Sequence, residues 1–227
     1  MSIKNNIVKF STELNLHHAR LIAVSKTQPV EKIREAYEAG QRDFGENKVQ
    51  EMVDKASKLP EDIRWHLIGH LQRNKVKYIA PFISLIHSVD SIRLLEEIDK
   101  QAEKQSRIIH CLLQVFIATE ETKFGLDVAE VKSLIQSNQL AAFRHVTIDG
   151  LMGMASLTEN RDQAAREFAS LKQLFESLKA SSLPPHVKMK ELSMGMTSDY
   201  PQALSAGSTM VRIGTAIFGE RSIVKEP

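Results

Sequence analysis

The sequence predicts a single α/β barrel of the (β/α)8 TIM type with one extra helix at its start. Two observations lead to this prediction. Roughly eight short apolar segments, rich in β-branched residues, alternate with helical patterns, which is typical of parallel strands joined by crossover helices. The connections are short and the composition does not shift along the chain. A closed barrel spanning 1–227 as one domain is therefore favoured over an open sheet.

The elements follow from apolar spacing: every second or consecutive residue for strands, every third or fourth for helices. A leading helix within 1–18 has Ile3, Ile7, Phe10 and Leu14 on one face, and we expect this face to pack on the barrel. Strands are predicted at 21–25, 44–45, 64–68, 83–87, 108–117, 145–148, 189–192 and 209–213. The intervening helices are predicted near 29–40, 49–56, 74–80, 94–102, 127–135, 165–178 and 198–206.

Composition excludes several classes of protein. A formal net charge of +2 is too small to predict nucleic acid or an anionic membrane as a partner. No apolar run reaches the ~18 residues of a membrane span, and the first residues lack the apolar core of a signal peptide. A single cysteine, Cys111, excludes an internal disulfide framework, and its apolar surroundings predict a core position. We expect a soluble, cytoplasmic protein.

Lys26 lies where the first strand should end. Pro29 opens the next helical pattern, so Lys26 is predicted at a strand-to-helix turn. In an α/β barrel, such turns lie on the face where ligands bind. From this stretch alone, a solvated loop lysine is the simpler interpretation.

Two turns near the end of the sequence predict a phosphate site. Each follows one of the last two strands and passes through glycine and hydroxyl residues into a helix, whose first N–H groups lack intrahelical partners. Gly195 and Gly214 let the backbone approach an anion, while Ser193 and Thr215 supply hydroxyl groups. The loops after strands seven and eight are the usual phosphate site of this fold. Two capped helix starts without a ligand are the alternative.

A lysine opposite a phosphate site favours a phosphorylated ligand with a carbonyl group, held as a Schiff base. An amine is nucleophilic only when unprotonated, so the pKa of such a lysine must fall from about 10.4. Desolvation or a nearby cation lowers it. Arg212, at the end of strand eight, is a candidate for that cation, and a surface arginine is the alternative.

Five segments resemble those of the pyridoxal phosphate homeostasis protein family, whose barrel is similar to the N-terminal domain of alanine racemase and has fold type III of the pyridoxal phosphate (PLP) proteins. The segments are AVSKTQP (23–29), FGENKVQE (44–51), WHLIGHLQRNK (65–75), LSMGMTSD (192–199) and GSTMVRIGTAIFG (207–219). This resemblance implies that Lys26 carries pyridoxal 5'-phosphate as an internal aldimine. It also implies that Ser193, Gly214 and Thr215 hold the phosphate. The other residues expected at the cofactor are Asn47, Met152, Met194 and Arg212, the last facing the pyridine nitrogen.

The departures from the family pattern are small. Thr197 stands where many members have serine, which keeps the hydroxyl group. The segment TEETKFG (119–125) retains the family's lysine and glycine at Lys123 and Gly125. Cofactor binding is therefore expected.

The resemblance implies a carrier or buffer that keeps the free aldehyde low and delivers PLP to apo enzymes, not an enzyme. An arginine only donates hydrogen bonds, so it leaves the pyridine nitrogen unprotonated and the ring a weak electron sink. A racemase also needs a second acid/base. In alanine racemase that group lies on a C-terminal domain, for which we expect no room before Pro227. Tyr37, Tyr78 and Tyr200 are not obvious substitutes.

Two other functions remain open. One is a small amino-acid racemase with an unrecognised second base. The other is an interaction protein with a vestigial cofactor that uses the basic patch of Arg64, Arg73, Lys75 and Lys77. No metal site is expected. His66 and His70 are four residues apart, but Gly69 interrupts any helix that would align them as ligands. A monomer is expected.

Overall fold

The computed structural model describes residues 2–118 and 125–219, and its core is a closed barrel of parallel strands. The strands pair in sequence order, and the last pairs with the first. The predicted (β/α)8 barrel is therefore confirmed. The strands are β1 (Arg20–Val24), β2 (Asp43–Glu46), β3 (Arg64–Leu67), β4 (Ile83–Val89), β5 (Ile109–Phe116), β6 (Val146–Met154), β7 (Val187–Ser193) and β8 (Met210–Ile213).

The helices alternate with these strands and surround the barrel. In α6, the Asp127 side chain accepts from the backbone of Glu130 while the Glu130 side chain accepts from the backbone of Asp127, so this helix begins with a capping box. The helices are α1 (Ile3–Leu16), α2 (Val30–Glu38), α3 (Val49–Ala56), α4 (Val76–Ile79), α5 (Ile92–Lys104), α6 (Val128–Ile135), α7 (Arg161–Lys179), α8 (Tyr200–Ser205) and α9 (Thr215–Phe218). Short 3-10 turns occupy Arg73–Lys75 and Leu140–Ala142.

The leading helix α1 packs on the barrel through the face that its apolar spacing predicts. Ile3, Ile7, Phe10 and Leu14 are all buried. The ring of Phe10 meets that of Tyr200 edge to face, with 5.8 Å between the centroids. The Asn6 side chain also donates to the Ile217 carbonyl, so the start of the chain covers the region around α8 and α9.

Strand β6 is longer than predicted because a glycine allows it to continue through an irregular point. The sequence predicts a strand over 145–148, since Asp149-Gly150 has the composition of a turn. The pairing of β6 with both neighbouring strands shifts register beside Gly150. The strand then runs on to Met154 and reaches the carboxyl end of the barrel.

A chain of buried polar side chains crosses the barrel. We call Asp43, His66, His87, Ser193 and Arg212 the interior chain. His66 Nε2 lies 3.0 Å from Asp43 Oδ1, and His66 Nδ1 lies 2.9 Å from His87 Nε2. His87 Nδ1 lies 3.0 Å from Ser193 Oγ, which accepts from Arg212 at 2.6 Å. Five strands are linked in this way.

The hydrogen bonds of the interior chain run in one direction. Burial lowers the pKa of His66 and that of His87, so both rings are neutral at pH 7. An arginine only donates, and a carboxylate only accepts. We therefore assign the Ser193 hydroxyl as the donor to His87, His87 Nε2 as the donor to His66, and His66 Nε2 as the donor to Asp43.

A membrane-crossing helix, which requires both length and low polarity, is not found in the part of the chain that the structure describes.

Cys111 is buried in β5, and burial raises the pKa of its thiol. Its predicted place in the core is confirmed.

We expect Gly150→Ala to lower the free energy of unfolding by about 2 kcal/mol or more. A Cβ atom at this position would overlap the backbone carbonyl of Glu191 on β7. Gly40→Ala is the control, because Gly40 has a φ of +100° but nothing within 4 Å of the added atom. It should cost about 1 kcal/mol. Urea unfolding of the two variants measures both values, and equal losses would contradict this account of β6.

Asp43 should make the stability of the protein depend on pH in acid. Its burial acts to raise its pKa, but hydrogen bonds from Arg64 and His66 outweigh burial and hold the pKa well below the usual 3.8. A carboxyl group of this kind stabilises the fold above its unfolded pKa and loses that contribution as the pH falls. Asp43→Asn should therefore be less stable than the wild type by about 2 kcal/mol at pH 7.

This difference should narrow below about pH 3.8, where the wild-type carboxyl group begins to lose its advantage over the amide. Unfolding curves between pH 7 and pH 3 measure the trend. Asp54→Asn is the control, since the carboxylate of this exposed residue on α3 accepts only from the nearby Gln50 side chain among the contacts described. A difference for Asp43→Asn that stayed constant with pH would show that its carboxylate is not what stabilises the barrel.

Candidate functional site

A cavity of about 640 Å³ opens at the carboxyl ends of the strands. Its lining comes from the strand ends and the turns that follow β1, β2, β3, β5, β6, β7 and β8, which is the functional face of an α/β barrel. The residues are Val24, Lys26, Asn47, Ile68, Gly69, His70, Gln114, Met154, Met196, Thr197, Ser198, Arg212, Gly214 and Thr215.

Lys26 borders this cavity from the turn between β1 and α2, and its side chain is half-buried. Strand β1 ends at Val24 and α2 begins at Val30, so the predicted strand-to-helix turn is confirmed. Thr27, directly after the lysine, has a φ of +63°, which is unusual for a β-branched residue. The turn is thus held in an uncommon backbone conformation.

Asn47 borders the cavity from the turn after β2, where it packs closely against the turn after β3. A Cβ atom on Gly69 would come within 2.5 Å of the Asn47 carbonyl oxygen. Only glycine at position 69 permits this approach. The two turns therefore form one continuous wall.

Arg212 is a buried member of the lining and joins the cavity to the interior chain. One terminal nitrogen donates to Ser193 Oγ at 2.6 Å and the other to the Gly153 carbonyl at 3.0 Å. These two bonds fix the plane of the guanidinium group, which has five N–H donors in all. Burial lowers the pKa of Arg212 to about 10, so it stays charged at pH 7. It presents a fixed positive donor to the cavity.

The turn after β8 brings Gly214 and Thr215 to the cavity, as predicted from the sequence. A Cβ atom on Gly214 would lie 3.1 Å from the Val24 carbonyl oxygen, so glycine lets this turn pack on β1. The helices α8 and α9 have only six and four residues. Their dipoles are therefore small, and hydroxyl groups are the main feature of this side that suits an anion.

Hydroxyl groups from the turn after β7 line the same side, but they are not those of Ser193. Ser193 has no exposed surface, and its hydroxyl is engaged by His87 and Arg212 inside the barrel. Thr197 and Ser198 are exposed and border the cavity instead. Both belong to the LSMGMTSD segment that the sequence marks as a turn. Their hydroxyl groups were the signal that could have identified them.

The structure brings together five of the eight residues predicted at the cofactor: Lys26, Asn47, Arg212, Gly214 and Thr215. Met152 and Met194, like Ser193, are fully buried and are not among the lining residues of the described chain. Met152 belongs to a buried apolar cluster with Ile22 and Met210, whereas Met154, two residues later on β6, borders the cavity. Lys123 lies outside the described residues.

Sequence reasoning also missed a cluster of charges next to the Lys26 turn. Glu46 and Lys55 are buried and paired at 2.8 Å, and Glu51 lies 2.6 Å from the same Lys55 amine. Their spacing on β2 and α3 resembles that of an ordinary solvent-facing charged segment. Ser25, in the turn after β1, bonds to both Glu46 and Lys55, and no local pattern records this contact.

Comparison with known proteins places this architecture in a family. Residues 1–222 match the family model of the alanine racemase N-terminal domain. The chain is 36% identical over 239 residues to a pyridoxal phosphate homeostasis protein of Pasteurella multocida, with 99% of this chain and 100% of that protein covered. It is 40% identical to the protein of that name from Aquifex aeolicus, with 89% and 87% covered.

Solved structures agree. PipY of Synechococcus elongatus, in a structure with PLP bound, is 38% identical, with a TM-score of 0.85 over 96% of this chain and 100% of that one. Alanine racemase of Bartonella henselae is 18% identical, with a TM-score of 0.71 over all of this chain and 62% of the racemase. The second likeness shows the fold alone. The chain belongs to the pyridoxal phosphate homeostasis protein family.

Proposed function

We propose that this chain binds PLP in the cavity at the carboxyl ends of the strands, through Lys26, and serves PLP homeostasis by buffering the cofactor or delivering it. One observation carries the proposal: a single cavity is bordered by Lys26, the buried Arg212 and the hydroxyl-bearing turns after β7 and β8. Relatives of near full length are named for PLP homeostasis, and PipY has been solved with PLP bound.

The donor set of the cavity suits the three polar parts of this cofactor. When bound, PLP supplies an aldehyde that a primary amine can attack. Lys26 provides that amine. Thr197, Ser198 and Thr215 provide hydroxyl donors for a phosphate, with Gly214 allowing close approach of the backbone. Arg212 provides an N–H donor for the pyridine nitrogen.

The interior chain supports retention of the cofactor over its chemical use. Arg212 donates toward Ser193, and each later bond donates away from the cavity toward Asp43. The interior chain places no carboxylic acid at the cavity, since Asp43 is not among the described residues that border it. A ring nitrogen that only accepts a hydrogen bond stays unprotonated, and the ring is then a weak electron sink.

The racemase alternative has less support, since the racemases match at low identity and show only the fold. Tyr37, Tyr78 and Tyr200 all lie outside the set of described residues that border the cavity. One observation nevertheless keeps the alternative testable. His70 borders the cavity, with Nδ1 at 3.4 Å from Asp90, and a histidine can act as an acid or a base.

We infer that apo PLP-dependent enzymes receive the cofactor, that the protein acts as a monomer, and that it acts in the cytoplasm. The single buried cysteine supports the last of these inferences, since it fits a reducing compartment.

Lys26→Ala should abolish the absorbance of the Schiff base and retain weaker, noncovalent PLP binding, because the hydroxyl turns and Arg212 are left in place. Absorbance spectroscopy measures the first effect, and equilibrium dialysis measures the second. Lys4→Ala, at an exposed position on α1, is the control and should change neither. Equal and complete loss in Lys26→Ala would show that the phosphate side of the cavity does not bind the cofactor.

The PLP-loaded protein should not exchange the α-proton of either enantiomer of alanine, serine or glutamate in deuterated water. Proton NMR follows this exchange over hours at a known protein concentration. Exchange that disappears in Lys26→Ala would overturn the carrier proposal in favour of a racemase. If it disappeared in His70→Ala as well, His70 would be the second acid/base.

A further inference from the structure

The turn that carries Lys26 has an unfavourable backbone conformation at Thr27. A φ of +63° brings the β-branched side chain close to the backbone, so this conformation persists only where neighbouring groups enforce it. Such strain clusters at functional sites. Neighbouring groups must therefore hold this turn in place.

Three charged side chains tie the turn to β2 and α3. We call Glu46, Glu51 and Lys55 the turn clamp. The Lys55 amine donates to the Ser25 carbonyl at 2.7 Å, to Glu46 Oε1 at 2.8 Å and to Glu51 Oε1 at 2.6 Å. All three of its N–H groups are thereby used.

Both neighbours of Lys26 are fixed by this clamp. On one side, the Ser25 hydroxyl donates to Glu46 Oε1 at 2.6 Å. On the other, the strained Thr27 donates its backbone N–H to Glu51 Oε1 at 2.5 Å. The residues before and after the lysine are held, while Lys26 itself borders the cavity.

Burying the charged side chains of the turn clamp costs free energy, which argues for a role other than stabilising the fold. The Glu46 side chain is fully buried, and burial raises its pKa to about 6 in spite of Lys55 and Ser25. Its second oxygen, Oε2, has no hydrogen-bond partner among the described residues. Apolar side chains often stabilise such a position as well as an ion pair does. Hydrogen bonds to specific backbone atoms of the turn are what apolar side chains could not supply.

We propose that the turn clamp is a set of positioning residues for covalent capture of the cofactor by Lys26. In this step the amine nitrogen bonds to the aldehyde carbon, and water leaves with the aldehyde oxygen and both amine hydrogens. The clamp fixes the direction from which the amine approaches. None of its described hydrogen bonds reaches the hydroxyl-bearing turns after β7 and β8. The inference rests on the proposed function.

The test separates covalent capture from phosphate binding in the full-length protein. Two ligands are compared: PLP, followed by the absorbance of the Schiff base, and pyridoxine 5'-phosphate, which lacks the aldehyde and is followed by calorimetry. The central variant is Glu51→Ala, because Glu51 is partly exposed and its loss leaves Lys55 paired with Glu46. We expect about a tenfold lower equilibrium constant for Schiff base formation and unchanged affinity for pyridoxine 5'-phosphate.

Three further variants sharpen the result. Asp54→Ala removes an exposed carboxylate from the same helix and should change the binding of neither ligand. Glu51→Gln keeps an oxygen that accepts from Thr27 and should restore most of the capture. Thr27→Gly, combined with Glu51→Ala, should also restore it, because glycine adopts a positive φ without strain.

Each outcome supports or overturns the inference. Normal capture of PLP in Glu51→Ala, or equal losses for both ligands, would overturn it. Failure of both rescue variants would overturn it as well, since the effect would then be a general loss of structure. A wild-type protein that bound neither ligand would instead refute the proposed function, so the two failures are distinguishable.

Discussion

The pairing of β1 with β8 is the constraint on which the site depends. These strands lie at opposite ends of the sequence, and their register places Ile22 beside Arg212. Because parallel strands end at the same edge of a sheet, closure brings the turn of Lys26 next to the turn of Gly214. An open sheet with the same elements would separate the lysine from the hydroxyl-bearing turn after β8.

The interior chain consists of polar side chains inside the barrel, and these need hydrogen-bond partners that an apolar core does not. Unpaired polar groups are expensive to bury, so every member of the chain must find its partner. Asp43 at one end and Arg212 at the other are charged, and the neutral His66, His87 and Ser193 connect them. This arrangement positions Arg212 without a carboxylate in direct contact. The arginine uses two donors for Ser193 and the Gly153 carbonyl and keeps the others for the cavity.

Local patterns in the sequence predicted the fold and the turns that carry Lys26 and Gly214, whereas the places of Lys26 and Arg212 at the cavity were implied by the family resemblance. Strand ends and glycine turns are local features, so Lys26 and Gly214 could be placed before the structure was known. The role of Ser193 could not be judged in that way. Whether a hydroxyl at a strand end faces the cavity or the interior depends on its partners on other strands, here His87 and Arg212.

The same limit applies to longer elements and to buried charges. Gly150 has the local signature of a turn, and only its pairing with two strands shows that β6 continues through it. Lys55 lies on a helix with many charges, and only the turn after β1 explains why it is buried. Contacts between elements distant in sequence decided each of these cases.

The distribution of burial around the cavity favours reversible binding. Arg212 is buried, whereas His70, Thr197, Ser198 and Thr215 are exposed at the opening. Enzymes commonly exclude water while bonds are rearranged. A carrier has a different requirement, because water must reach the bond between amine and aldehyde to break it again. Under the proposed function, Lys26 beside an open, hydroxyl-rich rim meets that requirement, since water can reach the bond that the lysine would form with the cofactor.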